Sequence, residues 1–227
     1  MATRIVSHSG TILLVGGGPV APGALAAALG PGDVLVACDG GVSHVIAEGL
    51  TDRLVAVIGD MDSLPEGVGG LPLYAVTEQD STDFDKALRH LSADLILGLG
   101  FWGGRADHSV AVLGGLVAQA HSPCILTAGE DILFAAPPEL RMELEAGTRV
   151  SLWPLLPSRG SSTGLHWPID GLDLRPEGRI GTSNRASGGP VTIRFAAPGA
   201  LVILPGALSA QAAAALRAAR RWPAPPR

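Results

Sequence analysis

Short apolar runs alternate with amphipathic stretches through the first half of the chain. Thr11 to Val15, Val34 to Cys38, Leu54 to Ile58, Leu73 to Val76, Leu95 to Leu99 and Ile125 to Ala128 have strand length and near-continuous hydrophobicity, the pattern of strands buried on both faces. Between them, Ala24 to Leu29, Val42 to Leu50, Thr82 to Leu91 and His108 to Ala120 carry helical patterns. The helix from Thr82 is the clearest: Thr82 caps it with Asp85 at the third position, and Phe84, Ala87, Leu88 and Leu91 form one apolar stripe. Such alternation predicts an α/β domain over residues 1–140, with a mostly parallel, Rossmann-like sheet covered on both faces.

From about Gly147 the texture changes. Short runs at Val150–Leu155, Gly164–Ile169, Gly178–Asn184, Val191–Phe195 and Ala200–Leu204 are separated by Gly, Pro and Ser, which predicts a smaller antiparallel β-sandwich over residues 141–227. Pro157 to Thr163 and Arg185 to Gly189 are expected to be mobile loops, and Ser209 to Arg221 an alanine-rich surface helix with Arg217, Arg220 and Arg221 near its end.

Composition narrows the function. With 47% hydrophobic and only 16% charged residues, the chain is not disordered, and its net charge of −5 gives a nucleic-acid or anionic-membrane surface no support. No apolar run approaches the roughly 20 residues of a membrane span, and no export signal stands at the start. Cys38 and Cys124 sit in apolar strands, as buried reduced thiols of a cytoplasmic protein do. Lys86, the only lysine, follows Asp85 in a helical pattern instead of a glycine loop, so a P-loop is excluded. Zinc-ligand spacings and a Gly-x-Ser-x-Gly elbow are missing as well.

Gly16, Gly18 and Ala21 match Gly-x-Gly-x-x-Ala, and Asp39 ends the second strand where a ribose-binding acid of a dinucleotide fold would lie. Yet Pro22 stands in the first turn of a short helix, and Gly40-Gly41 follows Asp39 at once. The other reading of these glycines is a turn where backbone approaches a nucleotide or another strand.

Aspartates give the strongest chemical signal. Asp60 and Asp62 follow one strand, with a period of two that points both to one side. Asp80 and Asp83 follow the next, and Asp107 opens a later helix. Carboxylates gathered at the carboxyl edge of a parallel sheet repel one another unless a hard cation is bound, and oxygen-only ligands favour Mg²⁺ completed by substrate phosphates. Arg105 and the glycine amides would grip the phosphates. His108 reads equally as a base, a phosphate contact or a helix-start histidine; His8, His44, His90 and His121 read as solvated, and His166 as a surface residue.

Cys38-Asp-Gly-Gly41, Ile58-Gly-Asp-Met-Asp-Ser63, Gln79-Asp-Ser-Thr-Asp-Phe-Asp-Lys-Ala-Leu88, Gly103-Gly-Arg-Ala-Asp-His108, Gly164-Leu-His-Trp-Pro-Ile169 and Gly181-Thr-Ser-Asn184 occur in the order in which the thiamine pyrophosphokinase family carries such motifs. The chain resembles that family from about Thr11 to Pro205. The resemblance implies Mg²⁺-dependent transfer of pyrophosphate from ATP to thiamine by a two-domain subunit working as a homodimer. It implies Asp60, Asp62 and Asp83 as metal ligands, Asp39 near the reacting groups and Asp107 as a nucleotide or phosphate contact, with Asp39 or Asp107 to orient or deprotonate the thiamine hydroxyl. Gln79, Asp80, Thr82, Arg105 and His108 would contact nucleotide and phosphates, and Trp167, Ser183 and Asn184 would contact thiamine. Val42-Ser43 and Val112 depart from the family pattern, which often has Ala-Asn and Asn there. Two other functions compete: a non-catalytic nucleotide- or thiamine-binding regulator, and a dinucleotide-dependent oxidoreductase.

Overall fold

The computed structural model describes residues 4–224. Two compact units divide them: residues 4–115 with 126–128, and residues 116–125 with 129–224. Among the described residues no helix is long and apolar enough to cross a membrane.

The first unit contains β1 (Val6–Val15), α1 (Ala24–Ala28), β2 (Val34–Cys38), α2 (Val42–Ala47), β3 (Leu54–Gly59), β4 (Leu73–Ala75), α3 (Asp83–His90) and β5 (Leu91–Leu99), and the starting residues of α4 (Ala106–Ala118). The strand order is β6-β5-β1-β2-β3-β4, where β6 is Cys124–Ala128. The pairs β1–β2, β1–β5, β2–β3 and β3–β4 are parallel. The α/β prediction is met. Chain order reverses at β1, whose neighbours are β2 and β5, so the carboxyl ends of these strands flank a switch point, where open parallel sheets bind ligands. Leu13, Val15, Leu35, Ala37 and Val57 pack with Leu25 of α1 and with Val42 and Val45 of α2 in a core closed to water.

One strand departs from expectation. Leu73, Tyr74 and Ala75 are exposed, not buried, because β4 is the outermost strand and only three residues long. A short edge offers little backbone for pairing with another chain.

The second unit contains two antiparallel sheets. The first has the order β12-β9-β14-β7, made of β7 (Asp131–Ala135), β9 (Arg149–Pro154), β12 (Gly181–Arg185) and β14 (Ala200–Pro205). The second has the order β11-β10-β13-β8, made of β8 (Glu139–Leu144), β10 (Ser158–Thr163), β11 (Asp173–Leu174) and β13 (Gly189–Phe195). In β13, Val191, Ile193 and Phe195 alternate inward in the pattern of a half-buried strand.

The loop expected at 157–163 is instead β10, which pairs with β11 at Ser158 and Arg159 and with β13 from Gly160 to Thr163. Its buried residues are serines: Ser162 Oγ accepts the Ile169 N–H at 3.0 Å, and Ser158 Oγ donates to the Leu156 carbonyl at 2.8 Å. A strand whose buried groups are satisfied hydroxyls shows no hydrophobic period. Gly164 to Ile169, expected as a strand, is a turn held by one bridge from Leu165 to Ala186. The segment from Arg185 to Gly189 joins β12 to β13 closely, with Ala186 paired. α5 (Ser209–Ala218) ends before Arg220 and buries Ala212, Ala213 and Leu216, so it is a packed helix and not only a surface one. Both cysteines are buried, as expected, and no disulfide joins them.

Candidate active site

The glycines after β1 serve the second of their two readings. Gly16 N–H donates to the Leu99 carbonyl and Gly18 N–H to the Gly100 carbonyl, both at 2.8 Å, so the loops after β1 and β5 are bound backbone to backbone. A Cβ on Gly16 would stand 2.5 Å from the Gly100 oxygen, so no larger residue fits this crossing. Two amides that a dinucleotide motif would turn toward a pyrophosphate are thus committed to carbonyls.

A cleft of about 1010 Å³ opens at these strand ends. Gly16 to Gly18, Gly103 and Gly104 line it, as do Asp39, Asp60, Asp80, Asp83 and Lys86. Gln79, Thr82, Arg105 and His108 also face it, and so does His44, whose Nε2 lies 2.9 Å from the Gly18 carbonyl. His44 is therefore not merely solvated.

Asp39 follows β2 in a single tight turn, Asp39–Gly41, with φ +40°, a backbone conformation that is costly for a residue with a Cβ. Its side chain is buried. One oxygen, Oδ2, accepts the Ser63 N–H at 3.0 Å, and Oδ1 has no partner. Burial, and then the Asp83 charge, push its pKa up. A buried carboxylate oxygen without a donor is an expensive group that a cation would satisfy.

Asp60 and Asp83 complete the cluster: with Asp39 they offer oxygens that all lie within 4.8 Å of one another. Asp60 stands at the end of β3 and Asp83 on the first turn of α3. Three carboxylates this close, one with a bare buried oxygen, fit a hard divalent cation.

Sequence reasoning missed Lys86. Its side chain is 2% exposed, and its ammonium donates to Asp83 Oδ1 at 3.0 Å and Asp60 Oδ2 at 3.4 Å. Burial opposes its charge, but the bond to and charge of Asp83, and then Asp60, outweigh this and raise its pKa. The Asp83-to-Lys86 spacing of i, i+3 was a readable signal, since such residues are neighbours on a helix.

Asp62 stands apart from the cluster, exposed to solvent. β3 ends at Gly59, Met61 has φ +70°, and the Asp62 N–H turns back to Asp60 Oδ1 at 3.3 Å. The expected period of two is therefore broken by a turn.

The loop before α3 is held at several points. Thr82 and Asp85 form the predicted capping box, with the Thr82 hydroxyl oxygen accepting the Asp85 N–H at 3.2 Å. The Gln79 amide donates to Asp60 Oδ2 at 3.4 Å, while Glu78 binds both Ser81 and Arg89. Replacing Thr82 by alanine is expected to lower stability by about 1 kcal/mol, as loss of a cap does; urea unfolding measures it, and an unchanged midpoint would refute the cap's role.

Arg105 and Asp107 pair at 2.6 Å, both well exposed. The hydrogen bond from Arg105 is the chief cause holding the Asp107 carboxyl down at about 2. His108 follows on α4, and the Ser109 hydroxyl accepts the Gly103 N–H at 3.1 Å, fixing the glycine turn beside it.

Trp167, Ser183 and Asn184 lie in the second unit. Asn184 is buried and fully engaged: its Oδ1 accepts the Trp167 N–H at 3.2 Å and its Nδ2 donates to the Trp167 carbonyl at 2.7 Å. It anchors the tryptophan backbone. Trp167 is 53% exposed, with His166 edge-on to its ring at 4.4 Å and the Arg185 guanidinium 5.2 Å from the ring centre. Ser183 is exposed at φ +59°, its N–H donating to Ser151 Oγ at 3.0 Å.

Comparison with known proteins gives one family. Residues 27–126 match the model described as thiamin pyrophosphokinase, catalytic domain, and residues 139–199 match thiamin pyrophosphokinase, vitamin B1 binding domain. Together the two cover well over half of the chain. Thiamine pyrophosphokinase 2 of Arabidopsis thaliana is 30% identical over 149 residues, 56% of this chain and 56% of that protein. The match thus spans little more than half the length of that relative. Among solved structures, thiamin pyrophosphokinase from Geobacillus thermodenitrificans superposes with a TM-score of 0.69 at 24% identity, covering 86% of this chain and 96% of the other. The thiamin pyrophosphokinase of Candida albicans gives 0.71 at 16% identity, covering 89% and 93%. These two likenesses establish the fold.

Proposed function

Because the chain belongs to the thiamin pyrophosphokinase family, we propose that it transfers the terminal pyrophosphoryl group of ATP to the hydroxyl of thiamine, giving thiamine diphosphate and AMP. The observation that carries this reading is the convergence of Asp39, Asp60 and Asp83 on one point, in a cleft lined by glycine backbone at the switch point of a parallel sheet. A regulator without catalysis would have no use for a buried carboxylate oxygen left bare.

In this reading Asp60 and Asp83 would hold Mg²⁺ and Asp39 would add its bare Oδ1, while Asp62, outside the converging triplet, would have to join them through movement of its loop. When bound, the ion neutralises charge on the phosphates. The thiamine oxygen forms a bond to the β-phosphorus of ATP, and the bond from that phosphorus to the oxygen bridging the α-phosphate breaks, releasing AMP. Such transfers depend on positioning and charge more than on a strong base. Asp107, held at about 2 by Arg105, is a weak proton acceptor, so its part in this reading is to orient the thiamine hydroxyl, which loses its proton as the new bond to phosphorus forms. Arg105, Gln79, Asp80, Thr82 and His108 line the approach of the nucleotide, and Lys86 adds a positive charge at the phosphates.

We assign nucleotide and metal binding to residues 1–140 and thiamine binding to residues 141–227. Trp167 is the stacking face for the thiazolium, since an aromatic ring attracts a cation. Ser183 is a contact, and Asn184 acts through Trp167. A homodimer in the cytoplasm is the working assembly, with the buried thiols of Cys38 and Cys124 kept reduced.

The test is direct. The purified chain incubated with ATP, MgCl₂ and thiamine should form AMP and thiamine diphosphate in equal amounts. ADP as product, or AMP formation without thiamine, would overturn the assignment.

A further inference from the structure

We propose that Lys86 is a tethered counter-ion that occupies the charge position of the divalent cation until nucleotide arrives, competing with the free metal and then releasing the site to the metal–nucleotide pair. The inference rests on the metal reading above and adds to it an order of events.

Lys86 is the only lysine in the chain, and it sits where solvent cannot screen it. Its ammonium bridges Asp83 and Asp60, two of the three carboxylates whose oxygens converge. Without a cation these carboxylates would repel one another, so an internal positive charge keeps the cluster assembled. The third carboxylate, Asp39, is left unserved at Oδ1. A lysine satisfies two acids of this site and not the third, which leaves the affinity for a metal incomplete but not abolished.

Two consequences oppose each other in sign. A free divalent cation must share Asp60 and Asp83 with a resident ammonium, so Lys86 weakens its binding. Nucleotide phosphates offer that ammonium a second set of acceptors within the same cleft, so Lys86 strengthens binding of the metal–nucleotide pair. A residue with a merely structural role would not move the two affinities in opposite directions.

The experiment uses the full chain and Mn²⁺, followed by electron paramagnetic resonance, alone and with α,β-methylene-ATP, which cannot transfer its pyrophosphate. In Lys86→Met and Lys86→Gln, Mn²⁺ alone should bind about tenfold tighter than in wild type, the scale of one neighbouring charge. With the analogue present it should bind more weakly than in wild type. Lys86→Arg, which keeps the charge, should resemble wild type with Mn²⁺ alone. Unchanged or weaker binding of Mn²⁺ alone in both neutral variants would overturn the proposal while leaving the metal site standing. No Mn²⁺ binding by any protein, with or without the analogue, would overturn the metal reading itself, and this proposal with it. Should neither neutral variant fold in EDTA, refolding on addition of MgCl₂ supports the counter-ion role, and failure to refold refutes it.

Discussion

Asp60→Asn and Asp83→Asn are each expected to lower the rate of thiamine diphosphate formation by at least about a hundredfold, or about 2.7 kcal/mol of transition-state stabilisation. A neutral amide is a poor ligand for a hard cation, and part of the charge that develops on the phosphates then goes unbalanced. Each substitution also takes one of two acceptors from the Lys86 ammonium but leaves the other, so the fold should persist. Steady-state assays at saturating ATP with varied MgCl₂, beside thermal unfolding, separate the two effects. Near-normal turnover at limiting Mg²⁺ in either variant would mean that these carboxylates only terminate loops. Asp62→Asn belongs in the same series, because Asp62 was proposed from sequence and lies outside the converging triplet.

The parallel sheet and the strand-end position of the acids were legible because both follow from local pattern. A buried strand leaves a hydrophobic run, and a capped helix leaves Thr82 and Asp85 three apart. What was hidden depends on tertiary contact. The pairing of Lys86 with Asp83 could be read from their i, i+3 spacing, but its burial and its second acid, Asp60, come only with folding. The missing partner of Asp39 Oδ1 leaves no trace in sequence. Met61 gives no hint of its positive φ, so Asp60 and Asp62 looked like alternate positions of one strand when they belong to a turn. Strand β10 was hidden for the opposite reason: its buried positions are serines, and hydroxyls satisfied by backbone look like loop chemistry from outside.

Gly100→Ala is expected to destabilise the chain by about 2 to 4 kcal/mol, combining a left-handed backbone penalty with overpacking. Gly100 has φ +76°, and a Cβ there would meet the Gly16 carbonyl oxygen at 2.4 Å. That oxygen cannot yield cheaply, because it is backbone, and Val20 Cγ2 stands 3.0 Å away as well. Separation of the two loops would also break the Gly16-to-Leu99 and Gly18-to-Gly100 hydrogen bonds, which shape one wall of the cleft. Urea unfolding measures the loss. Gly114→Ala, an exposed helical position where an added methyl meets nothing within 4 Å, is the matched control and should be neutral or slightly stabilising. Equal midpoints for the two variants would show that the loop crossing tolerates a methyl group.

The guanidinium above Trp167 changes how selectivity at that ring should be understood. The aromatic face already has a cation beside it, so a thiazolium stacking there as proposed would exchange partners, and the net gain would be a difference between two similar attractions. Charge alone then discriminates little between ligands. Flatness and fit against a ring whose backbone Asn184 locks in place would then have to supply the preference.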